Sequence, residues 1–314
     1  MSDLTRIEAA LSSIHHSFEI RGHSRFKSVR QALLTLLPQI DPESWNERFD
    51  FGGIYLNGRT ARPEQEILGD FLLEYYEPKF KLNEAKSFFA QFSKDWIVFE
   101  DEDLIATYKP AKLPCGQNRE QKYYYLRGYV ESYLGRSVHM PSRLDTSAQG
   151  LVLFSKSKRM HKVLQQAFER HTIQKYYALD VAPAVGWKAK EVKNQIGQSP
   201  AHPVLRMIVP SGGEEASTFF QRIINQEDST LGVQSSLLLA KPKTGRTHQL
   251  RVQCADLGSP IIGDMFYNGV EAQDLRLVSY KFVFHDPLRK IMRTIVAPTD
   301  KLPPWALGIV RPEG

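Results

Sequence analysis

The sequence predicts an α+β chain in two parts: a small α+β unit, then a larger domain built on a mixed sheet. Three observations carry that expectation. Short apolar runs of strand length recur through the second half of the chain, at Leu151–Phe154, Tyr177–Val181, Ser236–Ala240 and Tyr280–Phe284. Long connections separate them, with few hairpin signals, which suits a mixed sheet with helices among its strands. A strong hairpin signal does occur early, at Asn57-Gly58, and it belongs to the smaller unit.

Composition sets the bounds. A chain of 314 residues, 42% hydrophobic and 24% charged, has the make-up of an ordinary soluble globular protein. Its length suits about two domains. It contains no apolar window of about 18 residues, which argues against a membrane-spanning helix, and no membrane partner is expected. Met1 to Arg30 mixes acids, bases and histidines and lacks the apolar stretch of a secretory signal. The 2 cysteines, Cys115 and Cys254, are too few for a disulfide scaffold or a cysteine-built metal site. These features predict a cytoplasmic protein, and a monomer is the expected state. The 41 Lys and Arg against 35 Asp and Glu give a net charge of +6, which favours a polyanionic partner.

Taken in order, residues 1–23 form an N-terminal extension and residues 24–78 a small domain. Val29 to Leu37 has the apolar spacing of a helix and stops before Pro38. Gly53 to Arg59 reads as a strand running into the Asn-Gly turn, and Leu68-Gly69-Asp70 leads into a strand over Phe71–Tyr76. Residues 79–94 are polar around Phe88, Phe89 and Phe92 and read as a linker, or as a helix docking the two parts. The larger domain spans 95–314. Within it His161 to His171 reads as a helix, with Val163, Leu164, Ala167 and Phe168 on one face. Thr247 can cap the start of a further helix, which Gly258 should end.

Two runs carry chemistry. In the first, Arg143-Leu144-Asp145 leads through Gly150 into the buried run Leu151–Phe154, placing a carboxylate at the rim of a sheet. The second, Lys243-Thr244-Gly245-Arg246-Thr247-His248-Gln249-Leu250-Arg251, gathers cations and a histidine at a helix start, where anions bind readily. Together they point to an acid that does chemistry beside a basic surface that holds a polyanion. Locally, Asp145 also reads as an acid capping a turn or paired with Arg143, the second run as a solvated helix end, and Tyr176 and Tyr177 as core aromatics.

The order of four motifs resembles one family. Arg143-Leu144-Asp145 is similar to the Arg-Leu-Asp motif of RluA-type RNA pseudouridine synthases, and Thr244 to Arg251, continued by Leu257 to Asp264, to that branch's later motif. Glu100 to Leu104 with Lys109-Pro110 resembles the segment that opens the catalytic domain, and Lys175-Tyr176-Tyr177-Ala178 the motif that supplies an active-site tyrosine. The resemblance covers about residues 97 to 300. It implies a mainly antiparallel sheet, and a reaction that detaches uracil from ribose and rejoins it through carbon 5, without metal or cofactor. It makes Asp145 the catalytic carboxylate, Arg251 the cation that keeps it ionised, and Tyr177 the ring against the target base. Arg143, Lys109, Lys175, Arg246 and His248 become RNA contacts, with Arg143 able to fill the gap left by a flipped base. The early unit resembles a small RNA-binding domain named for a small-subunit ribosomal protein, on Asn57-Gly58 and Gly69-Asp70. Ribosomal RNA of the large subunit is the expected substrate, with transfer RNA the alternative.

Several positions depart from the family pattern: Ser142, the run Thr146 to Gln149, Lys112, Gln253 and Val278-Ser279-Tyr280. They ring the expected site and bear on substrate more than on chemistry. Two rivals remain open at this level. One is a catalytically silent RNA-binding assembly factor. The other is a hydrolase using Asp145 with His248 or His139.

Overall fold

The computed structural model describes residues 14–43, 45, 46, 49, 54–78, 92–116, 124–200 and 205–309. They fall into two compact units, one within 14–78 together with Gly116, Tyr124 and Tyr125, the other across 92–115 and 126–309.

Among the described residues the small unit holds a four-stranded antiparallel sheet and a helix packed on it. It comprises β1 (Ile14–Phe26), α1 (Val29–Leu36), β2 (Ile54–Leu56), β3 (Arg59–Thr60) and β4 (Ile67–Pro78), in the order β1-β4-β2-β3. Ser28 starts α1, its side chain accepting the Gln31 amide at 3.0 Å. Val29, Ala32 and Leu33 of the helix pack on Ile54, Ile67, Leu73 and Tyr75 of the sheet. Asn57 and Gly58, at φ 50° and 74°, make the left-handed turn between β2 and β3. The boundary expected at residue 24 is corrected: β1 begins at Ile14 and pairs with β4 along its length. The cause is its composition. His15, His16, Glu19, Arg21 and His23 break up the apolar alternation, and only pairing with β4 reveals the strand. Residues 1–13 of the extension, Gly53, and residues 79–91 of the linker lie outside the described residues.

In the large unit the elements are β5 (Ile97–Glu100), β6 (Leu104–Lys109), α2 (Leu126–Leu134), β7 (Gln149–Ser155), α3 (Lys158–Glu169), β8 (Gln174–Val181), β9 (Ala189–Gln198), β10 (Arg206–Val209), β11 (Glu214–Asp228), β12 (Val233–Pro242), α4 (Gln249–Asp256), β13 (Leu277–Asp286) and β14 (Ile291–Val296). One ten-stranded sheet runs β10-β9-β11-β12-β8-β13-β7-β6-β5, with β14 added on β13. Its pairs are antiparallel except β13 with β7, so the sheet is mixed and mainly antiparallel, as the sequence leads one to expect.

All four anticipated strand runs lie inside β7, β8, β12 and β13. The half-exposed strands were harder to see. β9 carries Lys190, Glu191 and Lys193 and buries only Val192 and Ile196, too sparse a pattern to read as a strand. Both faces of the sheet are covered. One holds Leu104, Leu153, Ala178, Leu237 and Phe284 under Met160 and Leu164 of α3. The other holds Leu179, Val181, Phe220 and Leu238 under Leu250 and Cys254 of α4.

Three local features place the site. At the parallel step, Gly150 sits at φ 116°, and a Cβ there would lie 2.2 Å from the Ser279 carbonyl oxygen. Only glycine lets β7 approach β13 so closely just after the Asp145 turn. Second, the capping role expected of Thr247 is corrected. The helix begins at Gln249, and the residue before it is His248 at φ 56°, with no side-chain cap. Gln249 organises the turn instead, its Oε1 accepting from the Arg246 amide at 3.0 Å and the Thr244 hydroxyl at 2.7 Å. Gly258, at φ 76°, follows the end of α4 as expected. Third, the acidic turn between β5 and β6 is fastened to the β13–β14 hairpin. Asp103 accepts two bonds from Arg159 at 2.9 Å each and one from Arg289 at 3.0 Å. Arg293 spans Asp286 and Asp101, at 2.6 Å each.

Candidate active site

Asp145 occupies the turn that feeds β7, its carbonyl accepting the Ala148 amide at 3.1 Å. Its side chain is 29% exposed, and it meets the guanidinium of Arg251, whose Nη1 donates to Asp145 Oδ2 at 3.1 Å. The other edge of that guanidinium is committed. Nε and Nη2 donate to the two oxygens of buried Asp264 at 2.8 and 2.7 Å. Rings of Phe266 and Tyr267 lie 4.7 and 5.3 Å from its centre. A bidentate pair plus two aromatic faces fixes the plane of an arginine, so Asp145 faces one pre-aimed donor. The charged partner of Asp145 is therefore Arg251 rather than Arg143.

That geometry decides the ionisation of the acid. Burial alone would push the Asp145 carboxyl up, but the Arg251 charge and hydrogen bond, together with His248 and Lys109, outweigh it and hold the group below the usual carboxylate range. A carboxylate that is ionised, partly open and held by a single fixed cation is equipped to act on an electrophilic carbon or an acidic hydrogen.

Around it stand the other anticipated residues. Tyr177, on β8, lines the cleft beside Asp145. Burial pushes its phenol up, so the ring is neutral. Tyr176 points to the other face of the sheet, edge-on to Tyr280 at 6.3 Å between centroids. Lys175 is buried at the cleft wall and donates to the Thr244 carbonyl at 3.0 Å. Burial, and then Arg246, lowers its amine to about 8. Arg246 donates to the Glu215 carbonyl at 3.0 Å and to Glu214 at 2.8 Å. Arg143 is exposed at the mouth. The cleft they enclose holds about 550 Å³, open solvent at its mouth included.

One expectation is corrected. Lys109 was to contact RNA, yet it is fully buried and donates to the carbonyls of Pro110, Leu113 and Thr146 at 3.0, 2.7 and 3.1 Å. An ammonium with three donors has none left. It fastens the turn that carries Asp145 from beneath. His248, 8% exposed, lines the cleft, with Nε2 3.9 Å from Asp145 Oδ2. Its Nδ1 lies 2.8 Å from the Tyr267 hydroxyl, which itself accepts the Arg206 amide at 3.1 Å. Every donor is used when Tyr267 gives its proton to Nδ1, which leaves an Nε2–H directed at the carboxylate side. Burial, and then Arg251, lowers the His248 ring to about 4, so it is neutral near pH 7. Asp264 and Tyr267 had no assigned role in the sequence. Asp264 was visible only as the end of the Leu257–Asp264 run, and Tyr267 carried no signal.

His139, the alternative base for a hydrolase, bonds Gln165 at 3.1 Å and does not line this cleft.

Residues 103–256 match the family model described as RNA pseudouridylate synthase. The dual-specificity RNA pseudouridine synthase RluA of Vibrio parahaemolyticus is 30% identical over 213 residues, covering 66% of this chain and 84% of that protein. The chain belongs to the RNA pseudouridylate synthase family. The synthase is also 30% identical over 197 residues to the uncharacterized RNA pseudouridine synthase YhcT of Bacillus subtilis, covering 60% of this chain and 62% of that protein, less than two thirds of its length. Among solved structures, human RNA pseudouridylate synthase domain containing 1 superposes with a TM-score of 0.57 at 20% identity, over 67% of this chain and 86% of that one. That likeness speaks to the fold alone. Asp145, Tyr177, Arg246, His248 and Arg251 of the synthase all fall inside the matched segment, while Asp264 lies beyond it.

Proposed function

We propose that this synthase isomerises specific uridines of structured RNA through Asp145, and that large-subunit ribosomal RNA is its substrate. One observation carries the reading: Asp145, among the described residues the one carboxylate lining the cleft, is held by Arg251 while Lys175, Arg246 and Arg143 line the same cleft. A target uridine has to leave its stack to reach such a depth. The carboxylate then acts at the ribose, attacking C1′ or removing the proton at C2′. The C1′–N1 bond breaks, uracil turns, and a C1′–C5 bond forms as the C5 hydrogen is lost and N1 gains one. Tyr177 supplies the wall against which the base turns, and its neutral phenol adds no competing charge.

A relative named as dual-specificity supports keeping a second RNA class, transfer RNA, as the alternative, because unpaired uridines are chosen by shape rather than by a groove. Pseudouridine maps of both RNA classes from cells with and without the synthase separate the two. Sites that vanish only from transfer RNA would overturn the ribosomal assignment. No change in either would favour the silent RNA-binding role. The four-stranded unit over residues 14–78 adds affinity in this reading. A chain beginning at Phe92 should bind ribosomal RNA more weakly yet isomerise a bound uridine at an unchanged single-turnover rate. Unchanged affinity would make that unit a packing domain.

A further inference from the structure

On the face of the sheet opposite the cleft, side chains from neighbouring strands form a row. Phe219 of β11 pairs with Lys241 of β12, and Tyr176 of β8 pairs with Lys281 of β13. The Lys241 ammonium lies 5.2 Å from the Tyr176 ring centre and 5.9 Å from that of Phe219, and the Lys281 ammonium lies 5.1 Å from Tyr176. Two cations thus share one ring. Among the described residues neither has a carboxylate within ion-pair distance. One step along the same face, Glu191 is occupied by Lys243 at 3.1 Å and Lys193 at 3.3 Å. The face therefore carries Lys193 and Lys243 at that carboxylate and Lys241 and Lys281 beyond it, an excess of positive charge on a partly exposed surface.

Aromatic rings hold ammonium groups in place without neutralising them, so the outward N–H bonds remain available to an anion. Repulsion between two lysines gathered on one ring is relieved only when an anion joins them. The stripe is also continuous with the site. Lys243 opens the turn Thr244-Gly245-Arg246 that rims the cleft, and Lys175 and Tyr177 flank Tyr176 in the same strand. A strand leaving the cleft over this turn meets Lys243 first, then Lys241 and Lys281.

We infer that this lysine stripe is a second RNA contact, binding backbone phosphates of the strand that flanks the target uridine. The inference rests on the proposal that the cleft isomerises uridine in RNA. Oligouridylates of about 5 and about 20 nucleotides test it, the short one filling the cleft and the long one reaching the stripe. Each phosphate contact on a single strand contributes about 0.7 to the salt slope of log affinity. For the full chain carrying Lys241→Gln and Lys281→Gln together, the slope for the long probe should flatten by about 1.4, so that at 0.1 M salt it binds that probe roughly 25-fold more weakly than the unaltered chain when the two bind equally at 1 M. The short probe should bind as before. The control pair Lys158→Gln and Lys162→Gln, on α3, removes the same charge elsewhere and should leave both slopes unchanged. An unchanged slope for the long probe overturns the stripe, as does equal weakening of both probes or an equal effect in the control pair. A fall in melting temperature without loss of affinity shows the lysines only brace the sheet, and overturns it too. Failure of the isomerase reading has a separate signature: the unaltered synthase forms no pseudouridine in ribosomal RNA, whatever the lysine variants do to binding.

Discussion

Replacing Asp145 with asparagine should abolish turnover, by about 10⁴-fold or more, with RNA affinity and folding close to those of the unaltered synthase. The amide keeps the outline of the carboxylate and can still accept the 3.1 Å bond from Arg251, but it has neither the charge nor the nucleophilicity. Arg251 remains paired to Asp264 at 2.8 and 2.7 Å, so no buried cation is stranded and the fold has no reason to fail. Release of tritium from carbon 5 of labelled uridine reads the chemistry, and a filter-binding assay reads affinity. Turnover near the unaltered level would remove Asp145 from the mechanism.

Arg251→Met should reduce both rate and stability, for different reasons. Two carboxylates lose their cation at once. Asp264, fully buried, is left charged and alone, which costs about 3–5 kcal/mol. Asp145 keeps the burial that pushes its carboxyl up and loses the largest of the charges that hold it down. In the unaltered synthase the depressed carboxyl contributes stability that is present above its unfolded value and lost as pH falls through the folded one. In the variant the balance inverts, the folded value rises, and the acid limb of the pH–rate profile moves to higher pH. Adding Asp264→Asn should restore much of the stability and none of the rate. Arg246→Gln serves as the comparison, since loss of a phosphate contact flattens salt dependence and leaves the acid limb in place. An unmoved acid limb in Arg251→Met would mean that Arg251 does not set the charge of Asp145.

The sequence revealed the buried strands and the ordered motifs, because both are local. Leu151–Phe154 is an unbroken apolar run, and Arg143-Leu144-Asp145 lies directly ahead of it. Long-range pairing was hidden. β1 is a polar strand recognisable only beside β4, and β9 buries too few residues to show a period. Lys109 was expected among the RNA contacts because nothing in Lys-Pro tells that three carbonyls converge on its amine. His248 looked like part of a basic helix end until its left-handed backbone turned the ring towards Asp145. Tyr267 gained its role through Arg206, which is 61 residues away in the chain.

The parallel step between β7 and β13 has a consequence for synthesis. As the chain leaves the ribosome, β7 can pair at once with β6, but its other edge stays open until β13 emerges. Arg289 and Arg293, which fasten the acidic turn at Asp101 and Asp103, come later still. The Asp145 turn is therefore unsupported on one side through most of translation, and contacts this distant in sequence form slowly. Stalled nascent chains that end before Leu277 should be cut quickly by protease near the Asp145 turn, and chains extended past Val296 and clear of the exit tunnel should resist. Equal protection of both would mean the turn is held without β13. The synthase is thus built so that its reactive carboxylate is seated only when the last strands of its sheet have been made.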